Sequence, residues 1–353
     1  MNIYQHLDEL RDSDGVGNDA IGLHKEFNQL GWNSNFITRI PRKGNIIEGA
    51  KFHSIFDTLR FNTNDIHLLH YGGHGYPLDL FRLSPGKKIL RFHNITPSHY
   101  YQNSTTPEIY SSMNRFESLS YLEISTLGII CDAAWCDSPF NAHVLQAFDF
   151  KMLKVLPICK KYEVYLPPRS IKQSYNLCFV GRYAPQKKWE DLILFFSHWR
   201  KKHSQAHLFC IGSVIGAFDG YYARLKKLVK DLDLEDYVLF LNHLSDSEVL
   251  QKLSESSALV SMSEHEGFCL PLLEAFGVGI PVFAYDAGAT KTTMNQAGRV
   301  FSEKNFPKLV DMISDELSNN LKIENMINQQ YNSLKYYNEF PWHTILPYLV
   351  SLL

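Results

Sequence analysis

The sequence predicts an α/β protein made of two domains, each built on a parallel sheet. The chain has 353 residues, which is more than one ordinary hydrophobic core accommodates. Short apolar runs alternate with helical patterns over the whole length, as is typical of strand–helix–strand units. The composition, 45% hydrophobic and 20% charged with 35 basic and 37 acidic residues, is that of a globular protein.

Composition also excludes several classes of function. Neither half of the chain carries a basic run, so we expect no nucleic-acid partner. No segment approaches the roughly 18 consecutive apolar residues that cross a bilayer, and the first ten residues lack the features of a signal peptide. The six cysteines lie far apart, several in apolar runs, which is typical of free thiols in a reducing compartment. We therefore expect a cytoplasmic protein with at most peripheral contact at the inner membrane face.

The pattern of apolar runs predicts ten strands besides a first strand near the N-terminus. In the first half they are Trp32–Thr38, Ile66–Tyr71, Lys88–His93, Ala133–Ser138 and Leu153–Pro157, with helices at Asn18–Leu30 and Asn141–Phe150. In the second half they are Leu177–Gly181, His207–Gly212, Val238–Leu241, Ala258–Ser261 and Pro281–Tyr285. The helices predicted there are Lys188–Lys201, Tyr221–Asp231, Asp246–Glu255 and Leu270–Val278.

The domain boundary is predicted within Tyr165–Ser170, where two consecutive prolines give a stiff extended connection. This boundary divides the chain into an N-terminal domain, 1–166, and a C-terminal domain, 170–335. The remaining segment, 336–353, is predicted to be helical and able to pack back on the N-terminal domain. The stretch Asn325–Leu353 is expected to be helix interrupted at Pro341 and Pro347.

The most informative segment runs from Ser263 to Val282. A strand ends there at a turn containing Glu266, and a helix is predicted to start near Phe268, with Pro271 in its first turn. The unpaired amides of such a helix start form a natural diphosphate site. Glu274 lies well inside the helix, so the two glutamates address different parts of one ligand. The alternative is an ordinary capped helix with two surface glutamates.

At these residues the chain resembles family 4 of the retaining GT-B glycosyltransferases, the glycosyl transferases group 1, whose hallmark is Glu-x7-Glu. The resemblance implies a GT-B fold, in which two Rossmann-like domains have parallel sheets facing a central cleft. It also implies that Glu266 contacts hydroxyls of the transferred sugar and that Glu274 holds the ribose of a nucleotide-sugar donor. The donor diphosphate would then face Gly267 and the amides of Phe268, Cys269 and Leu270. Cys269 replaces the family's usual second glycine.

A second match follows the first predicted strand of the C-terminal domain. The segment from Phe179 to Ile193 resembles the family's Val-Gly-Arg…Lys-Gly element, in which cations stabilise the charge of the departing diphosphate. The resemblance assigns Gly181 and Arg182 to the donor site, and by spacing Lys187 to the family lysine. Lys188 occupies the family's usual glycine, so the choice between the two lysines stays open. The alternative is a solvated lysine pair at a helix start.

The first half carries two further resemblances. Ile89–Pro97 is a predicted buried strand with a polar loop, similar to the His-Asn loop of family members that build surface polysaccharides. This places His93 near the reaction centre with Asn94 beside it; a structural histidine is the alternative. The Asp14–Asp19 loop, with Gly15 and Gly17, resembles the glycine loop that covers donor phosphates or acceptor, although a plain turn fits it nearly as well.

Two features that could suggest a metal site are discounted. On a strand, His67 and His70 point to opposite faces and cannot share an ion, and no carboxylate or cysteine completes a site with His74. Asp231 and Asp233 mimic a metal-binding Asp-x-Asp, but they end a helix in an acidic loop. We therefore expect no metal.

The function predicted from the sequence is that of a retaining, metal-independent glycosyltransferase. Its donor is a nucleotide diphosphate sugar of UDP or GDP type, and no other cofactor is expected. The resemblance points to a glycan or lipid-linked saccharide acceptor in surface polysaccharide biosynthesis. Two alternatives stay open: a nucleotide-sugar epimerase of the same architecture, and a non-catalytic subunit that binds nucleotide sugars.

Overall fold

The computed structural model describes residues 1–11, 14–42, 46–165 and 174–353. The chain divides into two compact units. Unit 1 comprises Met1–Thr96, Asn114–Lys161 and Tyr337–Leu353, and unit 2 comprises Pro97–Met113 and Tyr162–Tyr336. Of the predicted boundary segment Tyr165–Ser170, all but Tyr165 lies outside the described residues.

Unit 1 is built on a seven-stranded sheet whose paired strands are parallel, in the order β3-β2-β1-β4-β5-β6-β7. The strands are β1 (Asn2–Leu7), β2 (Asn33–Thr38), β3 (Lys51–Ser54), β4 (Ile66–Tyr71), β5 (Lys87–Phe92), β6 (Ala133–Cys136) and β7 (Leu153–Val155). The helices along this part of the chain are α1 (Gly15–Gln29), α2 (Asp79–Leu83), α3 (Pro107–Ile130) and α4 (Pro139–Leu145). Parallel strands need a crossover between them, and each of these four helices lies in such a connection.

The sheet of unit 1 is covered on both faces, which explains why its central strands read as continuous apolar runs. One face packs Ile3, Leu68 and Ile89 against residues of α1 and of the C-terminal helix α12 (Trp342–Ser351). The other face packs Leu69 and Leu90 with residues of α3 and α4. Every residue of β4 is buried in consequence.

Unit 2 is built on a six-stranded parallel sheet in the order β10-β9-β8-β11-β12-β13. Its strands are β8 (Leu177–Val180), β9 (Leu208–Gly212), β10 (Val238–Asn242), β11 (Ala258–Ser261), β12 (Val282–Tyr285) and β13 (Arg299–Phe301). Its helices are α5 (Trp189–Lys202), α6 (Asp219–Asp231), α7 (Asp246–Glu255), α8 (Leu270–Gly277), α9 (Thr290–Met294), α10 (Phe306–Ser318) and α11 (Asn320–Asn338), the last two residues of α11 belonging to unit 1. The predicted α/β class with parallel sheets is confirmed.

Several element limits differ from the prediction for identifiable reasons. Helix α4 starts at Pro139 because Ser138 caps it, accepting a hydrogen bond from the amide of Asn141. The prediction that Pro347 interrupts the last helix is wrong, because Pro347 lies inside α12. The buried side chains of Trp342 and Leu346 offset the hydrogen bond that the proline removes. Pro341 does separate α11 from α12.

The units also divide the chain differently from the predicted domains. Residues 97–113, predicted in the N-terminal domain, fall in unit 2. Residues 337–353, predicted as a helical segment able to pack back on the N-terminal domain, fall in unit 1. Among the described residues, no helix combines the length and the apolar character that crossing a membrane requires.

Candidate functional site

The first candidate site in unit 2 begins where β8 ends. The Gly181 amide donates to the carbonyl of Ile211, and a Cβ on Gly212 would lie 2.0 Å from the Gly181 oxygen, so the two loops meet where only glycine fits. The Trp189 indole donates to the Arg182 carbonyl at 3.0 Å, which fixes the backbone there. The Arg182 side chain is exposed. Its guanidinium has no hydrogen-bond or ion-pair partner among the described residues and is therefore available to a phosphate.

Lys187 and Glu266, predicted from separate motifs, form one ion pair. The Lys187 ammonium nitrogen lies 2.7 Å from both carboxylate oxygens of Glu266. The Glu266 side chain is 5% exposed and that of Lys187 is 15% exposed, so the pair is shielded from bulk water. In such a pair the lysine ammonium can bind a phosphate of a ligand, and the glutamate carboxylate can accept a hydrogen bond from a hydroxyl of the same ligand.

Lys188 and its surroundings form a second, more exposed ionic group. Its ammonium lies 3.4 Å from Glu264 and 3.7 Å from Glu190. Lys304 lies 2.8 Å from Glu264 and 2.6 Å from Asp191. Burial lowers the pKa of Lys188, but these carboxylates outweigh it and raise the pKa. The geometry thus separates the two lysines: Lys187 pairs with Glu266, and Lys188 lies against Glu190 and Glu264.

Two residues at positions where the resemblance leads us to expect glycine have left-handed backbone conformations. Lys188 has φ 52° and Cys269 has φ 73°. Glycine adopts this conformation without strain, whereas other residues incur about 1–3 kcal/mol. The left-handed conformation at Cys269 explains why α8 starts at Leu270, the first residue of the predicted helix Leu270–Val278, and not as early as Phe268. Lys188 and Cys269 therefore each adopt the backbone conformation that glycine takes without strain.

The helix that follows this turn carries the remaining predicted residues. Pro271 stands in the first turn of α8, and the amides of Cys269 and Leu270 lie at its N-terminal end, which favours anions. Gly267 and the buried Phe268 immediately precede them, and Glu274 lies in α8, half-buried. The Glu266 carbonyl accepts from the amide of Ala289 at 2.9 Å, which holds the turn. Burial, then Glu266, raises the pKa of the Cys269 thiol, so this cysteine is not a thiolate nucleophile.

The predicted glycine loop of unit 1 is the N-terminus of α1. The Asp14 carboxylate caps the helix by accepting from the amide of Gly17 at 2.7 Å. A Cβ on Gly17 would lie 1.6 Å from the carbonyl oxygen of Arg11, so glycine is required there for packing. Gly15 is the first residue of the helix. The preceding residues, 12 and 13, lie outside those that the structure describes.

A buried ion pair lies beneath this loop, between residues that the sequence reasoning did not select. Arg91 of β5 donates to Asp19 of α1 through Nε at 2.7 Å and through an Nη at 2.8 Å. Its remaining donors bond the carbonyls of Leu156 and Pro157 at 2.8 Å. Burial raises the pKa of Asp19, but the Arg91 guanidinium more than compensates and lowers it to about 2. A charged residue inside the apolar strand Ile89–Phe92 was the signal that could have identified the pair.

His93, predicted near the reaction centre, is surrounded by polar partners. Its Nε2 lies 3.0 Å from Nδ1 of His70, and its Nδ1 lies 3.3 Å from Asp137. The side chain is 4% exposed. Asn94 follows at φ 87° and donates to the Asn141 side chain at 2.7 Å. Asn141 in turn donates to Asp137. The predicted pair His93 and Asn94 thus lies in one network with the strand-end residues of β6.

Three of these groups also have the spacing of a metal site. One ligand atom each from Asp19, His70 and His93 lies within 4.8 Å of the others. The oxygens of Asp19 already accept from Arg91 and from the amide of Cys159, so the carboxylate is charge-neutralised without an ion. The three histidines considered from the sequence, His67, His70 and His74, do not form this cluster, and His67 instead bonds to His6.

The other residues considered for a metal site have local structural contacts. His74 bonds Glu123 at 2.6 Å. Asp231 is the last residue of α6 and pairs with Lys227, and Asp233 has φ 53° in the turn that follows.

Comparison with known proteins agrees with this description. Residues 167–333, just under half of the chain, match the family model described as glycosyl transferases group 1. The O-antigen chain mannosyltransferase RfbU of Salmonella typhimurium is 33% identical over 115 residues, which are 33% of this chain and 30% of that protein. The O-antigen chain mannosyltransferase B of Escherichia coli is 25% identical over 167 residues, or 47% and 40% of the two chains. The matches span well under half the length of these curated relatives.

The similarity to solved structures extends over the whole chain. S. aureus TarM superimposes with a TM-score of 0.76 at 12% identity, covering 99% of this chain and 98% of that one. WaaG, a glycosyltransferase involved in lipopolysaccharide biosynthesis, gives a TM-score of 0.68 at 12% identity over 99% of both chains. The chain therefore has the GT-B fold, and its residues 167–333 are similar to a glycosyl transferases group 1 domain.

Proposed function

We propose that this protein is a glycosyltransferase that takes its sugar from a nucleoside diphosphate donor. The observation that carries the proposal is the Lys187–Glu266 ion pair, whose lysine follows the exposed Arg182 by five residues and whose glutamate precedes the N-terminus of α8. This arrangement supplies two cations, a helix dipole and a carboxylate at the carboxyl ends of parallel strands, where such folds bind ligands. The family match over residues 167–333 and the UDP present in a TarM complex support the same ligand class.

The proposed reaction retains configuration at the anomeric carbon. The bond from that carbon to the diphosphate oxygen breaks as Arg182 and Lys187 stabilise the charge on the leaving group. The acceptor hydroxyl forms the new bond on the same face, and its proton passes to the leaving phosphate oxygen. Among the described residues of the unit 2 site, we assign none as nucleophile, since Glu266 is paired with Lys187 and Cys269 is held as a thiol.

We propose that the reaction needs no divalent metal, because the site provides its own positive charge. In this mechanism Glu274 holds the donor ribose, and Glu266 contacts hydroxyls of the transferred sugar. Lys187 is the phosphate lysine, since it lies against Glu266 while Lys188 lies against Glu264. Gly267 and the amides of Phe268, Cys269 and Leu270 face the diphosphate.

The acceptor we propose is a glycan or lipid-linked saccharide of a surface polysaccharide. The mannosyltransferases of O-antigen chains among the similar proteins support this class, as does WaaG. Six free cysteines fit a reducing compartment, so we place the reaction in the cytoplasm, with peripheral membrane contact through the acceptor.

The experiment that tests the donor is a thermal-shift series with UDP, GDP and ADP and their sugars. We expect one nucleotide class to raise the melting temperature, because a ligand at a hundredfold excess over Kd stabilises by about 2.7 kcal/mol. A flat response to all three would contradict the donor assignment. Product analysis with and without a saccharide acceptor then separates transfer from epimerisation, which would release free sugar in both cases. Binding without turnover in either case would indicate a non-catalytic subunit.

A further inference from the structure

Strand β4 carries two histidines on opposite faces, and each is joined to a second histidine. Nδ1 of His67 lies 3.0 Å from Nε2 of His6, and Nδ1 of His70 lies 3.0 Å from Nε2 of His93. All four side chains are at most 5% exposed. Buried polar groups of this kind must find their hydrogen-bond partners within the protein. The number of protons that each pair carries can therefore be counted from its partners.

The His6–His67 pair is satisfied by two neutral rings. At one end, Nδ1 of His6 lies 2.8 Å from the hydroxyl of Tyr76, and at the other, Nε2 of His67 lies 3.1 Å from the carbonyl of Pro85. The three hydrogen bonds of this chain need three protons. The tyrosine hydroxyl provides one, and each neutral imidazole provides one. Burial lowers the pKa of His67 to about 4, in agreement with this count.

The His70–His93 pair ends at both sides on acceptors. The Gln5 amide nitrogen donates to the Ala20 carbonyl at 3.2 Å, so the atom that faces Nε2 of His70 at 2.8 Å is the amide oxygen. At the other end, Nδ1 of His93 faces the carboxylate of Asp137 at 3.3 Å. Three hydrogen bonds again need three protons, but neither end supplies one. Two neutral rings hold only two, so this pair carries one additional proton.

The surroundings place the positive charge on His93. Burial, and then His93 itself, lowers the pKa of His70 well below its ordinary value. Asp137, after β6, faces His93 directly, and Asp19 of α1 lies 3.7 Å from both rings. Arg91 of β5 is the opposing cation, and it is neutralised by its two hydrogen bonds to Asp19. His70 is then neutral, with Nδ1 as the acceptor for His93.

We propose that His70 is a positioning residue that holds His93 as an imidazolium, with Gln5 fixing the tautomer of His70. His93 then acts as a fixed positive charge and does not accept a proton. This inference deepens the proposed function and rests on it for its catalytic meaning: the proton of the acceptor hydroxyl has no destination on His93 and leaves with the phosphate oxygen. The protonation state itself can be measured without any turnover.

The test is nitrogen NMR of the full chain labelled with ¹⁵N-histidine, at pH 7.5. We expect both ring nitrogens of His93 to resonate in the protonated range, and His6 and His67 each to show one protonated and one lone-pair nitrogen. His93→Gln and His67→Gln assign the signals. A lone-pair nitrogen on His93 would overturn the proposal. The proposal would also be overturned if elemental analysis found one zinc per chain in the purified protein and none in the His93→Gln variant.

Two variants test directly the number of protons that the His70–His93 pair carries. In Asp137→Asn the new amide can donate to Nδ1 of His93, as Tyr76 does in the other pair, so we expect His93 to become neutral. In His70→Phe the acceptor for Nε2 is lost, and we again expect a lone-pair nitrogen on His93. His67→Gln is the matched control and leaves the His93 signals unchanged. If His93 keeps two protons in a folded Asp137→Asn or His70→Phe protein, the proposed role of His70 is refuted. If the wild-type chain binds nucleotide but His93 is not an imidazolium, this inference fails while the proposed function stands.

Discussion

The Lys187–Glu266 ion pair allows a quantitative prediction for Lys187→Met. The substitution leaves the Glu266 carboxylate, 5% exposed, without its cation. Breaking a buried pair from one side costs about 3–5 kcal/mol. The 15% exposure of Lys187 indicates some access for water, which reduces this to about 2–3 kcal/mol. For a unit of this size, each kcal/mol lowers the melting temperature by about 2–4 °C, so we expect a loss of about 4–12 °C.

The measurement is thermal unfolding by circular dichroism without ligand. Lys188→Met is the matched control, because its partners Glu190 and Glu264 are 31% and 32% exposed at 3.7 and 3.4 Å, and its expected loss is below about 1 kcal/mol. The double variant Lys187→Met/Glu266→Gln should recover at least about 1.5 kcal/mol relative to the sum of the single losses. If Lys187→Met melts like Lys188→Met, the reasoning about burial of the pair is refuted.

Three other predictions concern acid stability, catalytic roles and metal. Because the pKa of Asp19 is held at about 2, below its value in the unfolded chain, the Arg91 pair stabilises the fold above about pH 4, and this contribution is lost as the pH falls towards 2. Asp19→Asn should lose about 2 kcal/mol in urea unfolding at pH 7 and less than half of that at pH 2.5, just above the folded pKa; an equal loss at both pH values would contradict the ion-pair account. Glu274→Ala should raise the donor Kd chiefly, whereas Arg182→Ala should lower kcat more than it weakens binding, and steady-state kinetics with the opposite pattern would show that the roles are wrong. A millimolar excess of EDTA should leave the initial rate nearly unchanged, whereas complete loss restored by magnesium or manganese would refute metal independence.

Local sequence patterns were sufficient for the elements and for the motif of unit 2. Ile66–Tyr71, Asp246–Glu255 and Ala258–Ser261 lie where the pattern predicted them, since apolar runs of this length suit only strands covered on both faces or helices with one covered face. The segment from Ser263 to Pro271 was recognisable because its glycine, proline and glutamates each have a backbone or charge requirement within a few residues.

The sequence could not give the partners of these residues. Lys187 and Glu266 are 79 residues apart, and their pairing depends on the adjacency of the loops after β8 and β11 in the sheet. The same holds for Arg91 and Asp19, which are 72 residues apart. No periodicity encodes which charged groups two distant loops bring within 3 Å of each other.

By itself, the sequence determined the α/β class, the parallel strands and the chemistry available at the glycine turns, because these depend on neighbours along the chain. Only the tertiary structure decided that His93 is linked to His70 and Asp137, and that Lys188 and Cys269 take left-handed conformations. The physical reason is that a hydrogen bond or a strained φ is fixed by the packing of several elements at once. The residue type fixes which atoms of a side chain can carry a proton. Whether they carry it depends on the partners that the fold brings to them.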